Sequence, residues 1–309
     1  MKILWYILIA NLFWNFSFAQ NATEKPKISF SFDDPTLKDL ASYKNEVWDK
    51  MILKTLKKHK IQSTLYVCGM RIDSPEGLKL LKKWDKNGHK IANHSYYHYN
   101  FNSKRETSSL ENFKSDFFKT DSIIKNFKNY SKYYRFPYLK EGNTKEKIDG
   151  FRNFLKENEY KHGYVSIDAS DWYINNRLID SLKINPKKDL NGYKDFYIQH
   201  LYDRAVFYNE LGKELGKNNI GHVLLLHHNL TSALFLDDLI KHFKKMGWEI
   251  ISTEEAYKDS IYQELPNIVP AGESIIWSKA KETGNFENKL RYPAEDSIYE
   301  KETMDSLGL

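Results

Sequence analysis

The chain has 309 residues, 41% of them apolar and 28% charged. That composition supports one large core and excludes a wholly disordered chain. A formal net charge of +6 is spread along the length without a basic tract or a nucleic-acid motif, so no nucleic-acid partner is expected.

The first segment is a lysine (Lys2) followed by an apolar run from Ile3 to about Phe16, closed by Ser17-Phe18-Ala19. Small residues at the −3 and −1 positions before Gln20 read as a secretory signal peptide over 1–19. The run is too short, and too soon followed by polar residues, for a stable membrane span after cleavage. Export to the periplasm or the medium is therefore expected. The single cysteine, Cys68, has no partner for an intramolecular disulfide and is expected to be buried as a small hydrophobe.

From Lys27 onward, short β-rich runs alternate with longer helical ones. Strands are expected at Lys27–Phe32, Ser63–Cys68, Lys90–Asn93, Lys132–Phe136, Gly163–Ile167, His222–Leu226 and Glu249–Ser252. Helices are expected at Glu46–His59, Ser74–Lys86, Arg105–Phe127, Thr144–Glu159, Phe196–Leu215 and Thr231–Lys244, several with apolar residues at helical spacing. Strict alternation implies parallel strands joined by right-handed crossovers. About seven such strands predict an α/β fold, a closed or nearly closed barrel, with a doubly wound open sheet as the alternative. After Thr253, Pro266, Pro270 and Gly272 break the pattern. A polar stretch over 258–309 follows, with one helix expected near Glu273–Lys281, and reads as a C-terminal extension packed on the barrel.

Polar motifs end five of these strands: Asp33-Asp34, His94-Ser95-Tyr96-Tyr97-His98, Arg135-Phe136-Pro137-Tyr138, Asp168-Ala169-Ser170-Asp171-Trp172 and Leu225-Leu226-His227. In parallel α/β folds chemistry collects at the C-terminal ends of strands, and a barrel gathers those ends around one mouth. His94 and His98, spaced i and i+4, would face the same way on a helical turn and suit a divalent metal. A metalloprotease helix needs a glutamate after the first histidine, where Ser95 stands. Asp33-Asp34 offers a hard third ligand, and adjacent strand-end carboxylates would point to opposite sides of the backbone. In a strand ending at His227, Leu225 shares its face and would form an apolar floor. Trp172 reads equally as a pocket wall or a core tryptophan.

Together the five motifs, in this order and at these spacings, resemble those of the polysaccharide deacetylases of carbohydrate esterase family four. The resemblance runs from about Lys27 to Tyr257 and implies a deformed (β/α) barrel, the deacetylase barrel then spanning residues 20–257. It implies a metal ion held by Asp34, His94 and His98, with Zn2+ expected and Co2+ or another divalent ion as the alternative. It further implies Asp33 as catalytic base and His227 as catalytic acid. Arg135 would pair with Asp33, Asp171 would keep His227 charged, and the backbone N–H of Tyr138 would face the oxyanion. The metal would lower the pKa of a water from near 16 to about 7, within reach of a carboxylate base.

Two residues depart from the family pattern. Pro35 stands where glycine usually follows the paired aspartates, and His228 replaces a common acidic residue after His227. Strand alternation favours His227 as the acid. The implied activity is removal of N-acetyl groups from a chitin-like or peptidoglycan-like glycan. The alternatives are an O-acetyl esterase on a polysaccharide such as xylan, or a catalytically silent glycan-binding module.

Overall fold

The computed structural model describes residues 24–290 and 297–309; the expected signal peptide lies outside the described residues. The strands are β1 (Lys27–Asp33), β2 (Thr64–Val67), β3 (Lys90–Asn93), β4 (Tyr130–Tyr134), β5 (Lys140–Gly142), β6 (Lys161–His162), β7 (Gly221–His227), β8 (Glu249–Ile250) and β9 (Ala271–Gly272). The α-helices are α1 (Asn45–His59), α2 (Pro75–Lys86), α3 (Leu110–Ile124), α4 (Lys145–Glu157), α5 (Asp171–Ile184) and α6 (Asn191–Glu214). They continue with α7 (Leu230–Lys245), α8 (Thr253–Ala256), α9 (Ile275–Thr283) and α10 (Ile298–Ser306).

Seven parallel strands form one curled sheet in the order β6-β4-β3-β2-β1-β7, with β8 pairing the N-terminal half of β1. The ring is drawn together by a single segment. β6 pairs β4 through Tyr134↔His162, and a few residues later Ile167 bridges Leu224 of β7. The strand expected at Gly163–Ile167 is thus two short contacts on opposite neighbours, because the chain crosses from one edge of the sheet to the other. The result is a deformed barrel with helices around it.

β1 shows why the sequence adopts this form. Ile28, Phe30 and Phe32 alternate with Ser29, Ser31 and Asp33, and every one of them is buried. The apolar set meets the surrounding helices, with the Phe30 ring 6.1 Å from Phe243 and the Phe32 ring 5.7 Å from Trp84. The polar set turns inward, where Ser31 and Asp33 both meet Arg135. A second, aromatic cluster of Phe101, Phe113, Phe117, Phe136, Phe151 and Phe154 packs α3 and α4 beside β4.

Local signals set several helix starts. Ser74 accepts the Gly77 N–H with Pro75 in the first turn, Ser109 accepts the Asn112 N–H, and Thr144 accepts the Lys147 N–H. The Ser109 cap also explains why the helix expected over Arg105–Phe127 starts only at Leu110. Besides the single-turn α8, two helices were not anticipated. One is α5, although Ile174, Leu178 and Leu182 line its buried face at i, i+4 spacing. The other is α10. β5 and β9 form a separate antiparallel pair that ties residues 271–272 to the loop after β4. Gly272, at φ +130°, is required there, since a Cβ would lie 2.0 Å from the Leu139 carbonyl oxygen. α9 lies near the expected C-terminal helix and buries Ile275, Ile276 and Ala280.

Candidate active site

The C-terminal ends of β1, β3 and β7 open into a cleft of about 470 Å3 lined by Asp33, Asp34, His94, His98, Tyr138, Trp172, Leu225 and His227, among others. Asp33 ends β1, directly opposite His227 in the β1–β7 register and Tyr66 in the β1–β2 register. The two aspartates separate by a backbone turn and not by strand alternation, since Asp34 has φ 59°.

One ligand atom each from Asp34, His94 and His98 lies within 4.8 Å of the others. The two histidines do not sit on a helical turn, as their spacing suggested. They flank an irregular loop after β3 in which Ser95 (φ 66°) and His98 (φ 57°) adopt left-handed conformations. Such strain persists only where surrounding contacts enforce it. Here Asp116 of α3 accepts the N–H groups of Tyr96 at 2.7 Å and Tyr97 at 2.8 Å, and the His98 N–H donates to Ser95 Oγ at 3.0 Å.

The donor set suits a divalent ion. His94 Nδ1 donates to the Arg135 carbonyl at 2.8 Å, which leaves the Nε2 lone pair available. Asp34 Oδ1 is buried without a hydrogen-bond partner. Its other oxygen, Oδ2, lies 3.2 Å from Arg71 and 3.4 Å from His98 Nε2. Burial opposes ionisation of Asp34, but His98, His94 and Arg71 outweigh it and hold its pKa low. Burial lowers His94 and His98 to about 4, so both present neutral imidazoles.

Asp33 is tuned the other way. Burial raises its pKa although Arg135 opposes the shift. Arg135 Nη1 donates to Asp33 Oδ1 at 2.5 Å and to Ser31 Oγ at 3.0 Å. Its Nε donates to the Gly163 carbonyl at 2.8 Å, its Nη2 donates to the Tyr257 hydroxyl at 3.3 Å, and the guanidinium lies 3.7 Å from the Tyr66 ring centroid.

On the opposite side, His227 Nδ1 lies 2.6 Å from Asp171 Oδ1. Burial disfavours the imidazolium, yet Asp171, with smaller contributions from Asp33 and Asp34, pushes His227 up to about 9. Asp171 is the first residue of α5 and not a strand end. Asn229 donates to Asp171 Oδ2 at 2.9 Å while its own Oδ1 caps α7 through the Ser232 N–H. His228 does not share the role of His227, being buried between Trp48 and Trp84 with its ring nitrogens engaged.

Tyr138 takes φ 57° in a short 3-10 turn after Pro137, and its ring sits 4.6 Å edge-on from His98. Leu225 and His227, one face of β7, both line the cleft, and so does Trp172 from α5. Asp168 also lines it and is buried. Cys68 is buried one residue past β2, its Sγ donating to the Tyr96 carbonyl at 3.3 Å.

Sequence reading missed Arg71, Tyr66, Asp116 and Tyr257. Tyr66 alone had an available signal, as the residue beside the paired aspartates on the neighbouring strand. The others come from elements whose position the local sequence does not encode.

Residues 20–154 match the family model described as polysaccharide deacetylase. No curated protein matches the chain. Among solved structures, it is similar to a CE4 family pseudoenzyme from Bacillus anthracis (19% identity, 76% of this chain and 66% of that one, TM-score 0.51). It is similar to a peptidoglycan N-acetylglucosamine deacetylase (20% identity, 77% and 91%, TM-score 0.50). The chitin deacetylase of Colletotrichum lindemuthianum gives 18% identity, 76% and 88% coverage and a TM-score of 0.51. At these identities the likeness shows the shared fold.

Proposed function

We propose that this chain, which belongs to the polysaccharide deacetylase family, is an exported, metal-dependent enzyme that removes N-acetyl groups from a glycan. The observation that carries this reading is convergence: a donor set of Asp34, His94 and His98, a base paired with Arg135 and an acid paired with Asp171 share one cleft. A protein that only bound glycan would have no use for a base and an acid tuned in opposite senses.

A divalent ion, Zn2+ for two imidazoles and a carboxylate, would be held by Asp34, His94 and His98. When bound, it supplies Lewis acidity that activates a water and polarises the acetyl oxygen. Asp33 accepts the water's proton, and its raised pKa makes it a stronger base than an ordinary carboxylate. Arg135 keeps that carboxylate in one orientation. The Tyr138 N–H stabilises the oxyanion that develops on the acetyl carbonyl. Leu225 provides an apolar floor for the acetyl methyl, and Trp172 forms a wall for the sugar. His227, charged through Asp171, donates its proton to the leaving amine.

The test uses the chain from Gln20, stripped of metal. Acetate release is measured on chitin oligomers, peptidoglycan fragments and acetylated xylan while Zn2+ is titrated, with Asp33→Asn as control. Metal-dependent release from an N-acetylated glycan, absent in the control, supports the reading. Release from xylan alone would make the protein an ester hydrolase. Glycan binding without release from any of the three would leave a binding module.

A further inference from the structure

His227 faces the cleft chemistry, but its neighbour His228 is buried and makes three separate contacts. Its backbone N–H continues the β1–β7 pairing by donating to the Asp33 carbonyl at 2.9 Å. Its ring Nδ1 accepts the N–H of Thr36 at 3.3 Å. Its ring Nε2 lies 3.1 Å from Asp49 Oδ1 on α1, which also accepts the Trp84 indole N–H at 2.9 Å. Because a backbone N–H occupies Nδ1, the ring hydrogen must be on Nε2, where it donates to Asp49. The Trp48 ring, 4.4 Å away, and the Trp84 ring, 5.7 Å away, pack against the imidazole.

Thr36 matters because of what precedes it. Pro35 has no N–H, so Thr36 carries the first backbone donor after Asp34. Asp34 itself donates to the Tyr66 carbonyl at 3.2 Å. The left-handed turn that aims the Asp34 carboxylate is therefore pinned on one side by β2 and on the other by the His228 ring. The His228 contact thus falls on the residue that directly follows Pro35. We infer that His228, with its tautomer fixed by Asp49, is a positioning residue that sets the metal-ligand loop Asp34–Thr36. This rests on the functional reading above, since it concerns the same metal site.

Two isosteric substitutions separate the contacts. The Asn carboxamide oxygen falls near the position of Nδ1, so His228→Asn keeps an acceptor for Thr36 and gives up Asp49. The Gln carboxamide falls near Nε2, so His228→Gln keeps Asp49 and leaves the Thr36 N–H unpaired. The measurements are Zn2+ affinity of the metal-stripped protein by chelator competition, and hydrogen exchange at the Thr36 amide without metal. His228→Asn is expected to hold wild-type affinity and protection. His228→Gln is expected to bind Zn2+ about tenfold to a hundredfold more weakly, the usual cost of losing an outer-shell contact, with faster Thr36 exchange. Equal affinity in both variants, or an equal loss in both, would overturn the positioning role while leaving the functional reading intact. A wild-type protein that binds no Zn2+ would remove that reading and this inference together.

Discussion

Asp171 grips His227 twice: Oδ1 lies 2.6 Å from ring Nδ1, and Oδ2 accepts the same residue's backbone N–H at 2.8 Å. The side chain of α5 thus fixes both the charge and the orientation of the last residue of β7. A raised pKa of about 9 keeps the proton on His227 through neutral pH and releases it above that value. An acid catalyst is active while protonated, so kcat/KM should fall on the alkaline side. In Asp171→Asn that support is lost and the alkaline limb should move to lower pH, with kcat down by about 10^2 to 10^4. The pH profiles of the two proteins check this; an unmoved limb would assign the alkaline pKa to another group.

Arg135 binds Asp33, Ser31, Gly163 and Tyr257 at once, with Tyr66 stacked on its plane. Arg135→Met would leave the buried Asp33 carboxylate without its hydrogen-bonded counter-charge, with His227 as a remaining cation near it. Breaking a buried pair this way costs about 3–5 kcal/mol of stability. Arg135→Lys should rescue little of the activity, because an ammonium cannot reproduce the planar fork. Denaturant unfolding with kcat/KM on the same samples reads both effects; a fully active Lys variant would refute the orienting role.

How much of this was visible beforehand varied by element. β1 was legible from its period-2 patterning, and β3 and β7 as short, buried apolar runs that end in polar motifs. Asp33, Asp34, His94, His98, Arg135, Asp171 and His227 were legible as motifs at strand ends; the structure brings five of them to one cleft, with Arg135 and Asp171 buried behind Asp33 and His227. Their local geometry was not. The His94–His98 loop looks like a helical turn by spacing alone, and the strained alternative is held by Asp116 and Thr120, some twenty or more residues on, together with the local Ser95–His98 bond. α5 was not legible because its start carries no side-chain cap and its first residue, Asp171, belongs to a motif that follows an expected strand. His228 could not be distinguished as a loop anchor, because Asp49 and Thr36 reach it only once β1, α1 and β7 are assembled.

Away from the cleft, burial lowers the pKa of His89 to about 4 and of His162 and His222 to about 3. In the unfolded chain a histidine takes up a proton near pH 6.5. Below that value the unfolded state binds protons that the folded state refuses, so stability must fall as pH drops from about 6.5 toward 4. The contribution of these neutral histidines is fully present above pH 6.5. Thermal unfolding across this range should show the loss, and His222→Asn should make it shallower. A slope unaltered by that substitution would show that His222 does not stay neutral in the fold.

If the Asp34, His94 and His98 site is the catalytic centre, bound metal and turnover must rise together. The most direct measurement titrates Zn2+ into the metal-stripped protein and follows bound metal and acetate release on the same sample, alongside Asp34→Ala. One equivalent of Zn2+ should restore release in proportion to occupancy, and Asp34→Ala should lose both. Release without metal, or Asp34→Ala retaining both metal and turnover, would contradict the account.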